Sequence, residues 1–417
     1  ASVGGADRID LDLGNDTVHF GSALTNADTV LGSDGTDVVT YTDVNGASNE
    51  LDHMTDIERV VISGSHINVK LGNDNIFSAT AAGSQADVTI DAASATGEMF
   101  FDASIESSSQ LYILGTNDTV GGGDTLIGGS AAAGDTIMGG DGNDKIRGNG
   151  GTDYIDAGTG DDTIVVKISD LMNLGANEKI TIHGGNGTDV VLLETNDTTA
   201  IFDFSEHVVF DGIEVIDYGS IDPTLVLSKS QIEDNTLHSI VGTTGGGDVL
   251  SIEGSGATID LSARYISGVE TLSGSAGNDT ITASTVGGST SMYISGADGN
   301  DYLWVGAHGD TLDGGTGFNH FQITNNNADK IVSQVVGSDV VSIASGLYVS
   351  HTQFADAVSG GLGDTLYASN NSTIVGSNTD NFETLVIKDG GTVTMLVADT
   401  TTGFNNILDD GSASAGV

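Results

Sequence analysis

The feature that most constrains this chain is a nine-residue period. Gly139-Gly140-Asp141-Gly142-Asn143-Asp144-Lys145-Ile146-Arg147 is followed at once by Gly148-Asn149-Gly150-Gly151-Thr152-Asp153-Tyr154-Ile155-Asp156 and then by Ala157-Gly158-Thr159-Gly160-Asp161-Asp162-Thr163-Ile164-Val165. Asp144, Asp153 and Asp162 are nine apart, as are Gly142, Gly151 and Gly160, and Ile146, Ile155 and Ile164. Asp135 and Ile137 hold the same phase one repeat earlier. Glycines at the first, second and fourth places permit a tight turn with positive φ and no Cβ strain. The Asp-x-Ile-x that follows alternates polar and apolar residues, as a strand does. A unit with one inward apolar residue cannot bury it alone, so such units must stack on their neighbours.

The same phrase recurs along the chain. Single copies begin at Gly32 (with Asp34 and Asp37), at Gly184 (with Asp189) and at Gly274 (with Asp279). A second in-phase tract begins at Gly296 and places Asp301, Asp310 and Asn319 nine apart, with Leu303, Leu312 and Phe321 two residues after each. Shorter echoes include Gly123-Asp124-Thr125-Leu126, Gly247-Asp248-Val249-Leu250 and Gly363-Asp364-Thr365-Leu366. A longer unit overlies them: Asp37, Asp189, Asp248 and Asp364 are followed 19 to 25 residues later by Glu58, Glu214, Glu270 and Glu383, each inside an Ile-Glu-x-Val-like segment. These glutamates read as structural residues on a solvent face beside inward Val and Leu. The spread favours one long array over unrelated globular domains. It is expected to divide into degenerate solenoid repeats at 1–120, a strict block at 121–192, a β-rich spacer at 193–270, a second strict block at 271–325 and a C-terminal β-rich segment at 326–417.

Two nonapeptides would make one coil of a parallel β-solenoid, with turns stacked along both edges. Stacking brings aspartates and exposed carbonyls of neighbouring coils together, which is hard oxygen ligation of the kind calcium takes. Here the chain resembles the RTX (repeats-in-toxin) family, whose Gly-Gly-x-Gly-x-Asp-x-apolar-x repeat forms a calcium-binding parallel β-roll. Residues 130–165 carry the resemblance strongly, and 296–322 carry it with substitutions. The resemblance implies an all-β fold and several Ca²⁺ ions. By it, the sixth-position Asp37, Asp135, Asp144, Asp153, Asp162, Asp189, Asp279, Asp301 and Asp310 are the ligands, with third-position Asp34, Asp141 and Asp298 as added carboxylates. Asn149 and Ala157 stand where the repeat has glycine, His308 likewise, and Asn319 replaces an aspartate.

Charge narrows the function. The 417 residues hold 59 acidic and 11 basic side chains, a formal net charge of −48, with 61 glycines, one proline and no cysteine. So few cations cannot track a phosphate backbone or an anionic membrane, so neither nucleic acid nor membrane insertion is expected. Without cysteine there are no disulfides, thiol nucleophiles or cysteine-type zinc sites. No apolar run approaches the length of a membrane helix. No signal peptide is visible, and a chain that starts at Ala1 reads as a processed or excerpted segment. The 38% hydrophobic content, much of it Val, Ile and Leu, argues for a long thin core rather than disorder. Short helices are expected only near 225–232, where Ser228 precedes Gln231, and near 168–174.

No catalytic constellation stands out, and no enzyme is expected. The nine histidines are scattered, and His-Glu-x-x-His, Gly-x-Ser-x-Gly and Walker A patterns are absent. Pairs such as Asp161-Asp162 and Asp409-Asp410 are what abundant aspartate produces by chance. Tyr293, Tyr302 and Trp304 offer a sugar-binding strip, but such aromatics more commonly pack an edge or core.

Aspartates crowded along an edge repel, and glycine-rich turns have high chain entropy, so the metal-free array is expected to be largely unfolded. Each Ca²⁺ would cancel two charges and turn binding energy into folding energy. Such a chain stays export-competent where calcium is low and folds outside the cell; the resemblance implies type I secretion from a Gram-negative bacterium. The leading expectation is an extracellular structural subunit at a bacterial cell surface, self-associating into an S-layer, sheath or filament. A stalk or glycan-binding region of an RTX adhesin and the RTX region of a polysaccharide-active enzyme are the alternatives.

Overall fold

A computed structural model describes residues 5–43, 50–72, 87–107, 109–117, 122–130, 132–325, 330–331 and 339–343, together with short strands between 348 and 409. The described strands pair in parallel throughout, in the arrangement of a β-solenoid. The chain forms two compact units, Ala1–Asn196 with Glu206–Gly219, and Asp197–Ser205 with Ser220–Val417.

In the first unit one sheet runs, neighbour by neighbour, from Thr17–Gly21 through Val38–Asp43, Arg59–Gly64, Asp87–Asp91, Gln110–Leu114, Thr136–Asp141, Tyr154–Thr159 and Ile180–Asn186 to Val208–Asp211. A second sheet includes Ile67–Lys70, Met99–Asp102, Thr125–Ile127, Lys145–Arg147, Thr163–Lys167, Val190–Glu194 and Val215–Asp217, and a third holds Arg8–Asp10, Thr29–Leu31 and Met54–Thr55. Successive nonapeptides alternate between the first two. Ile137 pairs in register with Ile155 on the first sheet, and Ile146 with Ile164 on the second. One coil of the strict tract is therefore two nonapeptides, as the period predicts. All four isoleucines are buried, and each stacks on its own copy one coil away.

The second unit repeats the scheme. Ile201–Asp203, Thr224–Ser228, Val249–Glu253, Thr271–Ser273, Tyr293–Ser295, Thr311–Asp313 and Lys330–Ile331 form one sheet. Thr258–Asp260, Thr280–Thr282, Tyr302–Trp304, His320–Ile323 and Val340–Ile343 continue through Thr365–Ala368 and Thr384–Ile387 to Asn406–Asp409 in another. Ile259, Ile281, Leu303, Phe321 and Val341 form one buried apolar stack along it.

Among the described residues helix is confined to single turns. Lys229–Ile232 is capped as its sequence suggests: the Gln231 N–H donates to Ser228 Oγ (3.4 Å), and the Ser228 N–H donates to Gln231 Oε1 (2.8 Å). It is the one short helix in the stretch 225–232; the start of that stretch belongs to the strand Thr224–Ser228, because Leu225 and Leu227 alternate into the core. Ile168–Leu171 is helical within its expected stretch, and Phe204–His207 adds a turn with no sequence warning.

At Gly158, the second place of its repeat, glycine is fixed by coil spacing. Gly158 has φ +110°, and a Cβ there would lie 2.1 Å from the Gly140 carbonyl oxygen of the neighbouring coil. Apolar stacking should carry comparable weight. Ile155→Ala is expected to destabilise the calcium-bound chain by about 2–5 kcal/mol, read from denaturant midpoints. Tyr112→Ala, on the exposed face of the same sheet, should shift them far less.

Candidate metal-binding turns

Each sixth-position aspartate is the last residue of its turn and leads directly into a strand. Asp144 precedes Lys145–Arg147, Asp153 precedes Tyr154–Thr159, and Asp162 precedes Thr163–Lys167. Leaving the turn at that point points the side chain inward. Asp37, Asp135, Asp144, Asp153, Asp162, Asp189, Asp279, Asp301 and Asp310 are all at most 2% exposed.

There they form ladders. The Asp124 N–H donates to Asp144 Oδ1 (2.7 Å), the Asp144 N–H to Asp162 Oδ1 (2.7 Å) and the Asp162 N–H to Asp189 Oδ1 (2.9 Å). Leu111, Asp135 and Asp153 make a second ladder, with N–H to Oδ1 distances of 2.8 and 2.7 Å. In the second unit Ala257, Asp279, Asp301 and Asn319 make a third, at 2.6, 2.8 and 2.9 Å. Met292 donates to Asp310 Oδ1 at 3.0 Å. One carboxylate oxygen per aspartate thus satisfies a peptide N–H of the preceding coil.

The other oxygen is the informative one. Oδ2 of Asp37, Asp144, Asp153, Asp162, Asp189 and Asp301 is buried without a hydrogen-bond partner. At Asp37, Asp144 and Asp189 a carbonyl oxygen of the neighbouring coil lies beside it, across the first glycine of the turn. A Cβ on Gly139 would meet Asp144 Oδ2 at 2.3 Å and the Ala157 carbonyl oxygen at 2.2 Å. On Gly184 it would meet Asp189 Oδ2 at 2.7 Å and the Gly212 carbonyl oxygen at 1.8 Å. Buried anionic oxygen facing carbonyl oxygen is unfavourable unless a cation lies between. Among the described ion pairs, none involves a sixth-position aspartate. Nor do three His, Cys, Asp or Glu side chains gather at one point among the described residues. The donor set is instead one or two carboxylates with backbone carbonyls, all hard oxygen, which fits Ca²⁺.

Third-position aspartates occupy a different place. Asp34 and Asp298 are exposed and Asp141 is half-buried. Asp141 Oδ1 and Asp298 Oδ1 accept from Thr159 Oγ1 (2.7 Å) and Thr316 Oγ1 (2.9 Å) of the next coil. Their charges still raise the pKa of Asp144 and Asp301.

Several ladder members escape the sequence pattern. Asp124 is one, though Gly123-Asp124-Thr125-Leu126 carries the right phase. The glutamates of the Ile-Glu-x-Val segments are others. They do not simply face solvent: Glu58 Oε2 accepts from the Asp37 N–H (2.6 Å), Glu214 Oε2 from Asp189 (2.7 Å) and Glu270 Oε2 from Asp248 (3.0 Å). Each glutamate takes the place of the next ladder aspartate and follows, two residues on, a left-handed residue: Asp56 (52°), Gly212 (61°) or Gly268 (72°). Glu383 and Asp364 lie outside the described residues. Asp248 Oδ1 is unpartnered for another reason. Its donor on the preceding coil would be Pro223, whose carbonyl accepts from the Val249 N–H, and proline has no N–H to give. The aromatics do not line one strip: Tyr302 and Trp304 share a sheet face, whereas Tyr293 lies in the other sheet, bonded to Asp313.

Burial pushes these carboxyls up, Asp144 to about 7 and Asp135, Asp162 and Asp301 to about 6. Asp153 rises well above the carboxylate range, and nearby Arg147 offsets this only in part. Burial likewise raises Asp189 and Asp310, the latter offset by peptide N–H groups and by His308.

The geometry defines a parallel β-solenoid whose turns carry buried, in-line carboxylates. The model of the RTX calcium-binding nonapeptide repeat matches in four copies, at residues 4–18, 131–164, 266–285 and 287–321. The chain therefore carries RTX repeats, a calcium-binding motif. No curated protein matches it. No helix among the described residues is long and apolar enough to cross a membrane.

A carboxyl whose pKa is raised by folding stabilises the fold fully below its unfolded value, near pH 4, and loses that contribution as pH rises through 6 to 7. Metal-free protein is thus expected to hold more β structure at pH 5 than at pH 8, by circular dichroism. Calcium should reverse this order, since protons compete for the same oxygens. Metal-free stability that rises with pH would contradict the assignment.

Proposed function

We propose that the chain is a calcium-folded extracellular structural protein, a subunit of a bacterial surface layer, sheath or filament. The observation that carries this reading is the ladder of buried aspartates with unpartnered oxygens, repeated in both units. It makes cation binding part of the architecture rather than an appendage to an active site. Asp37, Asp144, Asp153, Asp162, Asp189 and Asp301 would hold the ions, with carbonyls of adjacent turns. When bound, Ca²⁺ supplies positive charge where two coils present only oxygen.

The rest follows from where calcium is abundant. Extracellular sites fill at roughly millimolar calcium and stay empty at cytosolic levels, so the chain folds after export. Distribution of the turns along the whole chain suits a building block. Catalysis has no place in this reading. Self-association in calcium would complete the assembly.

Circular dichroism is expected to give coil in EDTA at neutral pH and β-sheet once millimolar Ca²⁺ is added. Negative-stain electron microscopy of the same samples should show ordered arrays or filaments with calcium and none with chelator. An unchanged β spectrum in EDTA would overturn calcium-driven folding. Isolated particles at high calcium and protein concentration would overturn the lattice and favour an adhesin stalk.

A further inference from the structure

The ladder aspartates fall into two kinds, divided by one peptide amide. In the first kind Oδ2 has no partner: Asp37, Asp144, Asp153, Asp162, Asp189 and Asp301. In the second kind the turn closes on its own carboxylate. The Gly129 N–H donates to Asp135 Oδ2 (2.5 Å), Thr116 to Asp124 Oδ2 (2.6 Å), Ser275 to Asp279 Oδ2 (2.6 Å) and Gly306 to Asp310 Oδ2 (3.0 Å).

The backbone explains the division. The residue four before each open aspartate has positive φ: Ser33 (77°), Gly140 (110°), Asn149 (86°), Gly158 (110°), Gly185 (107°) and Ala297 (70°). The donors of the closed turns are not among the positive-φ residues: Ser275 and Gly306 stand four before their aspartates, and Gly129 and Thr116 stand six and eight before theirs, in longer turns. Where the second-place residue is left-handed, no N–H of the turn reaches Oδ2. The Gly314 turn makes the point with a neutral side chain. Gly315 has φ +67°, and its carbonyl oxygen lies 3.5 Å from Nδ2 of Asn319, which stands in the aspartate's place. There an amide N–H meets the carbonyl that an aspartate could meet only through a cation.

We infer that the reach of a turn N–H to Oδ2 decides which repeats take a cation: Asp37, Asp144, Asp153, Asp162, Asp189 and Asp301 form calcium sites, whereas the turns of Asp124, Asp135, Asp279 and Asp310 are closed by peptide N–H and take none. This departs from the repeat match in both directions. Asp37 and Asp189 lie outside the matched segments and yet have open turns, while Asp135, Asp279 and Asp310 lie inside them and are closed. The inference rests on the calcium reading above and narrows it.

Asparagine substitution separates the two kinds by sign. In an open turn, Asp189→Asn places an N–H against carbonyl oxygen, as Asn319 does, and removes a ligand. In a closed turn, Asp279→Asn keeps the Oδ1 acceptor but weakens or reverses the contact with the Ser275 N–H. Two measurements on the full chain read this. Native mass spectrometry in calcium should find at least one ion fewer on Asp189→Asn and the wild-type number on Asp279→Asn. In EDTA, where trimethylamine N-oxide can drive folding, Asp189→Asn should fold at a lower osmolyte concentration than wild type and Asp279→Asn at a higher one. Asp37→Asn and Asp310→Asn repeat the comparison on independent turns. Loss of an ion from Asp279→Asn and Asp310→Asn, or shifts of one sign for both kinds in EDTA, would overturn the inference. The EDTA arm needs no calcium, so it decides the sorting of turns even if wild type binds none, an outcome that would overturn the calcium reading itself.

Discussion

A buried carboxylate oxygen that faces carbonyl oxygen is the interaction on which the rest of this structure depends. Each coil is held to the next by parallel strand pairing and by an aspartate that accepts the neighbour's peptide N–H. Its first oxygen makes that bond and cannot leave it without stranding a buried donor. In the open turns its second oxygen is therefore fixed too, in a place with no proton donor. The fold cannot relax the conflict by letting the side chain swing out. Only a proton or a cation can resolve it, and at neutral pH and millimolar calcium the cation has the advantage.

This constraint makes the net charge of −48 part of the folding mechanism. The apolar stacks, such as Ile137 with Ile155 and Ile259 through Val341, give each coil a narrow core. A narrow core alone offsets little of the entropy of ordering so many glycines. The basic side chains that pair do so with other carboxylates: Lys70 with Asp102 at 2.7 Å and Arg147 with Asp170 at 2.9 Å, neither bonded to an unpartnered ladder oxygen. On the proposed calcium reading, the same oxygens that oppose folding without metal would supply its driving force when metal is present.

Much of this was legible in the sequence, for a physical reason. A nine-residue period in glycine, aspartate and isoleucine records three demands at once: a tight turn, an inward carboxylate and an apolar side chain two residues on. Ile146 and Ile164 fall in register because the strict tract has constant coil length. Where coils lengthen, as between Asp162 and Asp189, phase is lost in sequence but kept in space. Glu58 and Glu214 join the ladder from segments that contain no turn motif. The difference between Asp301 and Asp279 was not legible at all. It depends on whether Ala297 or Ser275 occupies left-handed backbone, and residue type favours neither. Side-chain pattern records where a carboxylate sits but not which way the facing peptide is turned.

The central claim, that the unpartnered oxygens mark cation positions, is tested most directly by anomalous diffraction from crystals grown in calcium. The account predicts anomalous peaks beside Oδ2 of Asp144, Asp162 and Asp301, with roughly 2.3–2.6 Å to that oxygen and to carbonyls of adjacent turns. Water at those positions, with calcium confined to exposed carboxylates such as Asp34 and Asp298, would contradict it.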